Sequence, residues 1–145
     1  MTDNKIIKRI HLIETLFQER QLINMDGVEL LNLANRFQKI ENDFQQSSPS
    51  NFVSKRIAII SSSTSYYFKQ VLRLFLYQEG VIPIFYEAKF NTIFEEILNK
   101  SSNLYSFHPD VLLILPDFRD IKEMPKLFST YAEVIKLVNE QYSTY

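Results

Sequence analysis

The residues best suited to chemistry in this sequence are five consecutive hydroxyl residues, Ser61 to Ser65. They follow the apolar run "RIAII" and precede an amphipathic segment, so they lie where a buried strand ends and a helix begins. A serine there could act as a nucleophile, the turn could bind an anion, or a hydroxyl could cap the helix. The residues alone leave all three interpretations open.

A serine nucleophile needs a base, and the sequence offers two histidines, His11 and His108. His11 lies on the first predicted helix. His108 precedes the third predicted strand, which places it at the opposite end of the sheet from Ser62. Because the histidines are distant and cysteine is absent, we expect no metal site. The sequence has only two glycines, which excludes a glycine-rich nucleotide loop, and we expect no cofactor.

A second polar group follows the third predicted strand, in the segment "PDFRD". The carboxyl ends of parallel strands meet at one edge of a sheet, so this segment should lie near the hydroxyl run. Charged side chains there could orient a polar ligand or bind a phosphate. The residues expected to bind a ligand at this edge are Ser61, Ser63, Thr64, Asp117 and Arg119, with Asp120 beside them.

The elements that position these residues follow from changes in the apolar period. Three short runs rich in branched apolar residues predict strands at Arg56–Ser61, Val81–Glu87 and Val111–Leu115. Amphipathic segments predict helices at Tyr66–Glu79, Asn91–Asn99 and Lys126–Gln141. Alternating strands and helices indicate an α/β fold, a small three-layer sandwich around a parallel sheet of order 2-1-3.

An N-terminal helical hairpin precedes this unit. Apolar stripes at helical spacing run through residues 1–45, interrupted by the turn signal "NMDG". The polar, proline-containing segment "QQSSPSN" predicts a linker, which we place at residues 46–54. The α/β unit then occupies residues 55–145.

Composition narrows the classes of partner and compartment. Sixteen basic and 17 acidic residues give a net charge of −1, so neither nucleic acid nor an anionic membrane is the expected partner. The N-terminal segment carries charges among its apolar residues, unlike a signal peptide or a membrane span. These features, together with the absence of cysteine, predict a soluble cytoplasmic protein.

The segment "NTIFEEILNKSSNLYSFHPDVLLI" resembles the region before the third strand in FkbH-like proteins, which are haloacid-dehalogenase-type proteins of polyketide pathways that load glyceryl units. "IAIISSSTSYYF" and "LRLFLYQEGVIPIFYEAKFN" resemble the first strand, turn, helix and second strand of the same family. The resemblance runs from about residue 56 to about residue 120. It implies an SGNH-like (GDSL-type), flavodoxin-like fold, with Ser62 at the position of the nucleophile.

This sequence also departs from that family. Ser61 stands where the family usually has glycine, and the late histidine-bearing segment of an SGNH-type domain is missing, so the SGNH-like domain is expected to be partial. The D-x-D-x-T/V signature of the phosphatase domain is absent as well. We therefore expect a non-catalytic or degenerate module that binds an acyl carrier protein or a phosphatase-type domain. The alternative is an enzyme that handles an acyl or phosphorylated three-carbon group, with Ser62 as nucleophile or oxyanion donor.

Association is expected from the edges of the small sheet. Pro83 protects the edge of the second strand from pairing with another strand, whereas the third strand is wholly apolar and needs other elements to cover it. We expect a second copy, a partner domain or the hairpin to cover the third strand, and predict a homodimer. The predicted anchors of the dimer contact are Ile10, Phe17, Phe37 and Phe44 on the hairpin.

Overall fold

A parallel three-stranded sheet forms the centre of the molecule, in a computed structural model that describes residues 2–47, 52–117, 120 and 125–143. Its strands are β1 (Val53–Ser61), β2 (Val81–Glu87) and β3 (Val111–Leu115), in the order β2-β1-β3. Both pairings are parallel, which confirms the predicted topology. β1 starts three residues before the predicted boundary because its exposed first half pairs with β2 without an apolar pattern.

Helices lie on both faces of the sheet. α4 (Tyr66–Gln78) connects β1 to β2, and α5 (Ile93–Leu98) and α6 (Asn103–Phe107) connect β2 to β3. The two crossovers run in opposite directions across the sheet, so right-handed connections place α4 on one face and α5 and α6 on the other. The helix predicted at Asn91–Asn99 is α5, and α6 is a second short helix that the sequence did not predict. α5 ends because Asn99 is extended and its side chain accepts the Ser101 N–H.

Gly80 and Pro83 determine how β2 begins and why it lies at the edge of the sheet. Gly80 has φ of +74°, a left-handed conformation that glycine adopts without steric cost, and it ends the segment of α4 as predicted. Pro83 lies in β2, which is an edge strand, where a missing N–H donor is tolerated.

Three helices and a 3₁₀ turn make up the N-terminal region. The helices are α1 (Thr2–Gln18), α2 (Gly27–Gln38) and α3 (Glu41–Ser47), with the 3₁₀ turn at Gln21–Asn24. Asp26 caps α2 by accepting the N–H groups of Val28 and Glu29 at 2.8 Å, and the Glu29 carboxylate accepts the Asp26 N–H in return. The apolar stripe predicted after the "NMDG" turn is divided between α2 and α3, because α2 ends at Gln38 and α3 begins at Glu41.

The main apolar core joins this N-terminal region to α4. Phe37 is completely buried and meets Phe17, Phe44 and Tyr77 edge to face, with ring centroids 5.9, 5.3 and 4.8 Å away. Leu74 and Tyr77 supply the contribution of α4. The hairpin therefore packs against α4 in one continuous core.

That packing corrects the predicted dimer contact. The exposed fractions of Ile10, Phe17, Phe37 and Phe44 are 7%, 7%, 0% and 2%, so these side chains are buried inside one molecule. They cannot serve as anchors between two copies. The sequence showed the apolar stripe correctly but could not show that α4 would cover it.

The C-terminal side of the molecule is covered much less. α7 (Tyr131–Tyr142) begins five residues after its predicted start, and no described element packs closely against it. Tyr131, Ile135 and Val138 are spaced along one face of α7 with exposed fractions of 81%, 40% and 44%, and Val111 of β3 is 43% exposed. We refer to Tyr131, Ile135 and Val138 as the C-terminal apolar surface.

Candidate functional site

The hydroxyl run forms a tight turn at the carboxyl end of β1. Ser61 pairs with Leu115 of β3, and the Ser62 N–H donates to the Leu115 carbonyl at 3.2 Å. The Ser61 hydroxyl lies 2.7 Å from the Ser63 carbonyl and accepts the Ser63 N–H at 3.2 Å. Ser61 and Ser62 are consequently buried at the edge where ligand sites of open α/β sheets form.

Ser62 makes the contact of greatest chemical interest. Its hydroxyl donates to Oδ1 of Asp120 at 2.8 Å, and its side chain is almost completely buried, with 1% exposed. The other oxygen of Asp120 accepts the Asp117 N–H at 2.6 Å. The Asp120 carboxylate thus fixes the loop after β3 against the turn after β1.

The loop after β3 lies at this edge, as the sequence predicted. Of the three charged residues expected there, Asp120 is the one whose side chain reaches Ser62. Asp117 reaches the same carboxylate through its backbone N–H, and Arg119 lies outside the described residues. Strand ends alone could not show which of two aspartates three residues apart would point inward.

Ser63 and Thr64 are exposed beyond the turn, whereas Ser65 is buried at the N-terminal boundary of α4. Ser65 makes no side-chain cap to that helix. Its hydroxyl donates instead to Glu87 at the end of β2, which also forms an ion pair with Lys69. The helix-cap interpretation is therefore wrong for Ser65.

Glu87 is held in its charged form by these partners. Partial burial raises its pKa, but the hydrogen bonds from Lys69 and Ser65 and the charge of Lys69 together lower the pKa below its usual range. The sequence patterns did not single out this cluster of Ser65, Lys69 and Glu87. The predicted sheet order could have indicated it, because Glu87 ends the strand next to the one that leads into Ser65.

Neither histidine of the chain can act on Ser62 within this molecule. His11 is exposed on α1, with Nδ1 3.3 Å from the Glu14 carboxylate. His108 ends α6 before β3, and because β1 and β3 are parallel it lies at the opposite end of the sheet from Ser62. The described residues contain no group of three His, Asp or Glu side chains able to hold a metal ion.

Several residues of the family-like segment have structural contacts. The Glu96 carboxylate accepts the Tyr86 hydroxyl at 2.9 Å and the Leu104 N–H at 3.2 Å, and the Ser102 hydroxyl donates to the Glu96 carbonyl at 2.8 Å. Burial, together with the adjacent Glu96 carboxylate, raises the pKa of Tyr86 to about 12. These contacts hold α5 and α6 together and against β2.

No protein-family profile matches the sequence, and no curated protein matches it. Among solved structures, the chain is similar to the N-terminal part of the protein BF1531 from Bacteroides fragilis, which contains a phosphatase domain and was determined in complex with Mg. The TM-score is 0.56 and the identity 14%, over 83% of this chain. The chain spans 29% of the length of that structure, so the likeness concerns the fold of one part of a longer protein.

Among the described residues, no helix has the length and apolar character needed to cross a bilayer. The conclusion from geometry and comparison together is a three-stranded parallel α/β fold, with a buried Ser62–Asp120 pair at its carboxyl edge. This fold is shared with part of a phosphatase-containing bacterial protein.

Proposed function

We propose that this chain is a non-catalytic, SGNH-like module of an FkbH-like biosynthetic protein, and that it binds a protein partner. The partner we favour is a phosphatase-type domain of the haloacid-dehalogenase class, with an acyl carrier protein as the other partner of this pathway type. The observation that carries the proposal is the C-terminal apolar surface, whose residues are from 40% to 81% exposed on a helix that no described element packs closely against. Exposed apolar side chains grouped on one helix face are typical of protein contacts.

The state of Ser62 supports a non-catalytic role. A serine nucleophile requires a base that removes its proton and then returns it to the leaving group. Here the hydroxyl donates to the Asp120 carboxylate, the side chain is buried, and both histidines lie elsewhere. The pair acts as a connection between two loops.

The choice of a phosphatase-type partner rests on two features. The similar solved protein contains a phosphatase domain and is much longer than this chain. The present sequence lacks the D-x-D-x-T/V signature that such a domain needs for aspartyl-phosphate chemistry. A module without this signature can take part in aspartyl-phosphate chemistry only by contacting a domain that carries it.

A binding measurement tests the proposal. The chain is titrated calorimetrically with a separately purified haloacid-dehalogenase-type domain encoded by the same or a neighbouring reading frame. Ile135→Asp should weaken binding at least about tenfold, because a buried isoleucine contributes about 1.5–3 kcal/mol. Asn35→Asp adds the same charge at an exposed polar position of α2 and is the matched control. Equal affinities for the two variants, or no binding at all, would contradict the proposal.

An ester hydrolysis assay separates this proposal from the enzyme alternative. We expect the chain to hydrolyse p-nitrophenyl acetate no faster than Ser62→Ala, since no imidazole reaches the hydroxyl. Ser63→Ala, at an exposed position of the same turn, controls for changes in the turn itself. Hydrolysis that Ser62→Ala abolishes and Ser63→Ala retains would establish the enzyme that handles an acyl or three-carbon group.

A further inference from the structure

A groove opens at the other end of the sheet, away from Ser62. Its volume is about 470 Å³, within the range of small-molecule sites. The lining combines an apolar wall with a small number of polar side chains. The lining residues are Arg56 of β1, Ile97, Leu104 and Tyr105 of α5 and α6, His108, Pro109 and Asp110 of the following loop, and Leu112 of β3.

The two basic side chains of the groove are unengaged. Neither the Arg56 guanidinium nor the His108 imidazole forms a hydrogen bond or ion pair with any described residue, although the Arg56 backbone is paired. Asp110 is the acidic side chain of the groove, and its Oδ2 accepts the Arg56 backbone N–H at 2.7 Å rather than pairing with the Arg56 guanidinium. Unused donors are therefore concentrated beside an apolar wall.

The backbone of the groove is strained at one of these basic residues. His108 has φ of +51°, a left-handed conformation that costs a non-glycine residue about 1–2 kcal/mol. It also precedes Pro109, and proline restricts the conformation of the residue before it. His108 is the C-cap of α6, where a left-handed residue commonly ends a helix, so this conformation turns the chain into the loop that lines the groove.

The apolar wall is fixed in place. The Tyr105 hydroxyl donates to the Ile97 carbonyl at 2.7 Å, which joins α6 to α5 across the groove. The Asp110 N–H donates to the Arg56 carbonyl at 2.8 Å, which ties the loop to β1. The apolar wall and the loop backbone are consequently held in place before a ligand enters.

We propose that this groove binds a small organic carboxylate with an apolar body. The carboxylate accepts from the Arg56 guanidinium, whose planar donors match two carboxylate oxygens, and from His108. The apolar body lies against Ile97, Leu104 and Leu112. This site is separate from the C-terminal apolar surface and does not depend on the proposed partner.

A titration followed by ¹H–¹⁵N correlation spectra tests the site with 3-phenylpropanoate as probe. Its primary amide, 3-phenylpropanamide, has the same apolar body without the charge and is the matched ligand control. We expect saturable shifts at Leu104, Tyr105 and Leu112 in the low-millimolar range. The amide should bind at least tenfold more weakly.

Two variants assign the donors. Arg56→Gln should abolish the preference for the carboxylate over the amide, whereas Lys55→Gln removes the same charge one residue away and should retain it. His108→Asn keeps a residue that tolerates the left-handed backbone while removing the imidazole, and should weaken carboxylate binding severalfold. The proposal is overturned if carboxylate and amide bind alike, if Arg56→Gln matches Lys55→Gln, or if no saturable shift occurs at the groove.

Discussion

Apolar side chains are buried on the N-terminal side of this molecule and exposed on its C-terminal side, although the sequence patterns of the two sides are similar. Phe37 on the N-terminal side is fully buried against three aromatic rings, whereas Phe128 on the C-terminal side is 91% exposed. Both belong to segments predicted as amphipathic helices, and in the structure Phe128 lies in the turn that precedes α7. The difference is that α1 to α3 have α4 to pack against, and α7 has no closely packed neighbour among the described elements. An apolar stripe shows that cover is needed and does not identify what provides it.

Truncating one phenylalanine on each side tests this comparison with the largest expected effect. Phe37→Ala should lower the free energy of unfolding by about 3–5 kcal/mol, because it removes buried area and leaves a cavity. Phe128→Ala should change it by less than about 0.5 kcal/mol. Urea denaturation followed by circular dichroism measures both. Similar losses for the two variants would mean that the C-terminal side is packed as well.

Self-association is the next effect in size. In the absence of another partner, we expect two copies to cover the C-terminal apolar surface, so the mass at high concentration should exceed the 17.2 kDa of one chain. Adding Ile135→Asp and Val138→Asp together should restore the monomer, since each side chain contributes about 1.5–3 kcal/mol when buried.

Light scattering coupled to size exclusion, over a concentration series, follows this equilibrium. Asn35→Asp again provides the control, because it adds the same charge at an exposed position of α2. A wild-type chain that remains monomeric throughout would refute self-association, and a dimer that resists both aspartates would place the contact elsewhere.

The smallest expected difference is in the stability that two ion pairs contribute, Glu87 with Lys69 beside the sheet and Glu140 with Lys136 on α7. The pKa of Glu87 is lowered in the folded state, so its pairing with Lys69 and Ser65 contributes stability above the ordinary value of 4.5. That contribution is lost as the pH falls through the folded-state pKa. The Glu87 side chain is 33% exposed, which screens the pair and limits its effect to about 0.2–1 kcal/mol.

Acid unfolding of two variants measures this contrast. Glu87→Gln should reduce stability at neutral pH and make its decline below about pH 4.5 shallower. Glu140→Gln removes an acid paired with Lys136 on exposed α7, at 3.7 Å, and should leave the curve nearly unchanged. Indistinguishable curves for the two variants would remove Glu87 from the stabilising contacts.

The sheet and its order were predictable from the sequence. "RIAIIS", "VIPIFYE" and "DVLLILP" each contain an apolar run of strand length between helical periods. A parallel sheet needs helices on both faces, and right-handed crossovers supply them when β1 lies in the centre. The meeting of the hydroxyl run with the loop after β3 followed from the same rule. These predictions succeeded because they depend on local periodicity and on chain connectivity.

The individual contacts of the site were not predictable in the same way. The sequence placed Asp117 and Asp120 in one loop, but side-chain direction in an irregular loop has no period to reveal it. Ser65 had the residue type and position of a helix cap, yet its hydroxyl reaches Glu87, which is 22 residues away in the chain. A distant carboxylate that competes for a donor is invisible to local rules.

The sequence by itself determined the strands, their order and the polar residues at the carboxyl edge, because these follow from side-chain periodicity and the handedness of connections. Only the tertiary structure decided that the hairpin anchors are internal, that Asp120 is the partner of Ser62, and that Arg56 and His108 line one groove. Such outcomes depend on which surfaces meet in space. That depends on the shape and burial of the whole molecule, which no single segment encodes.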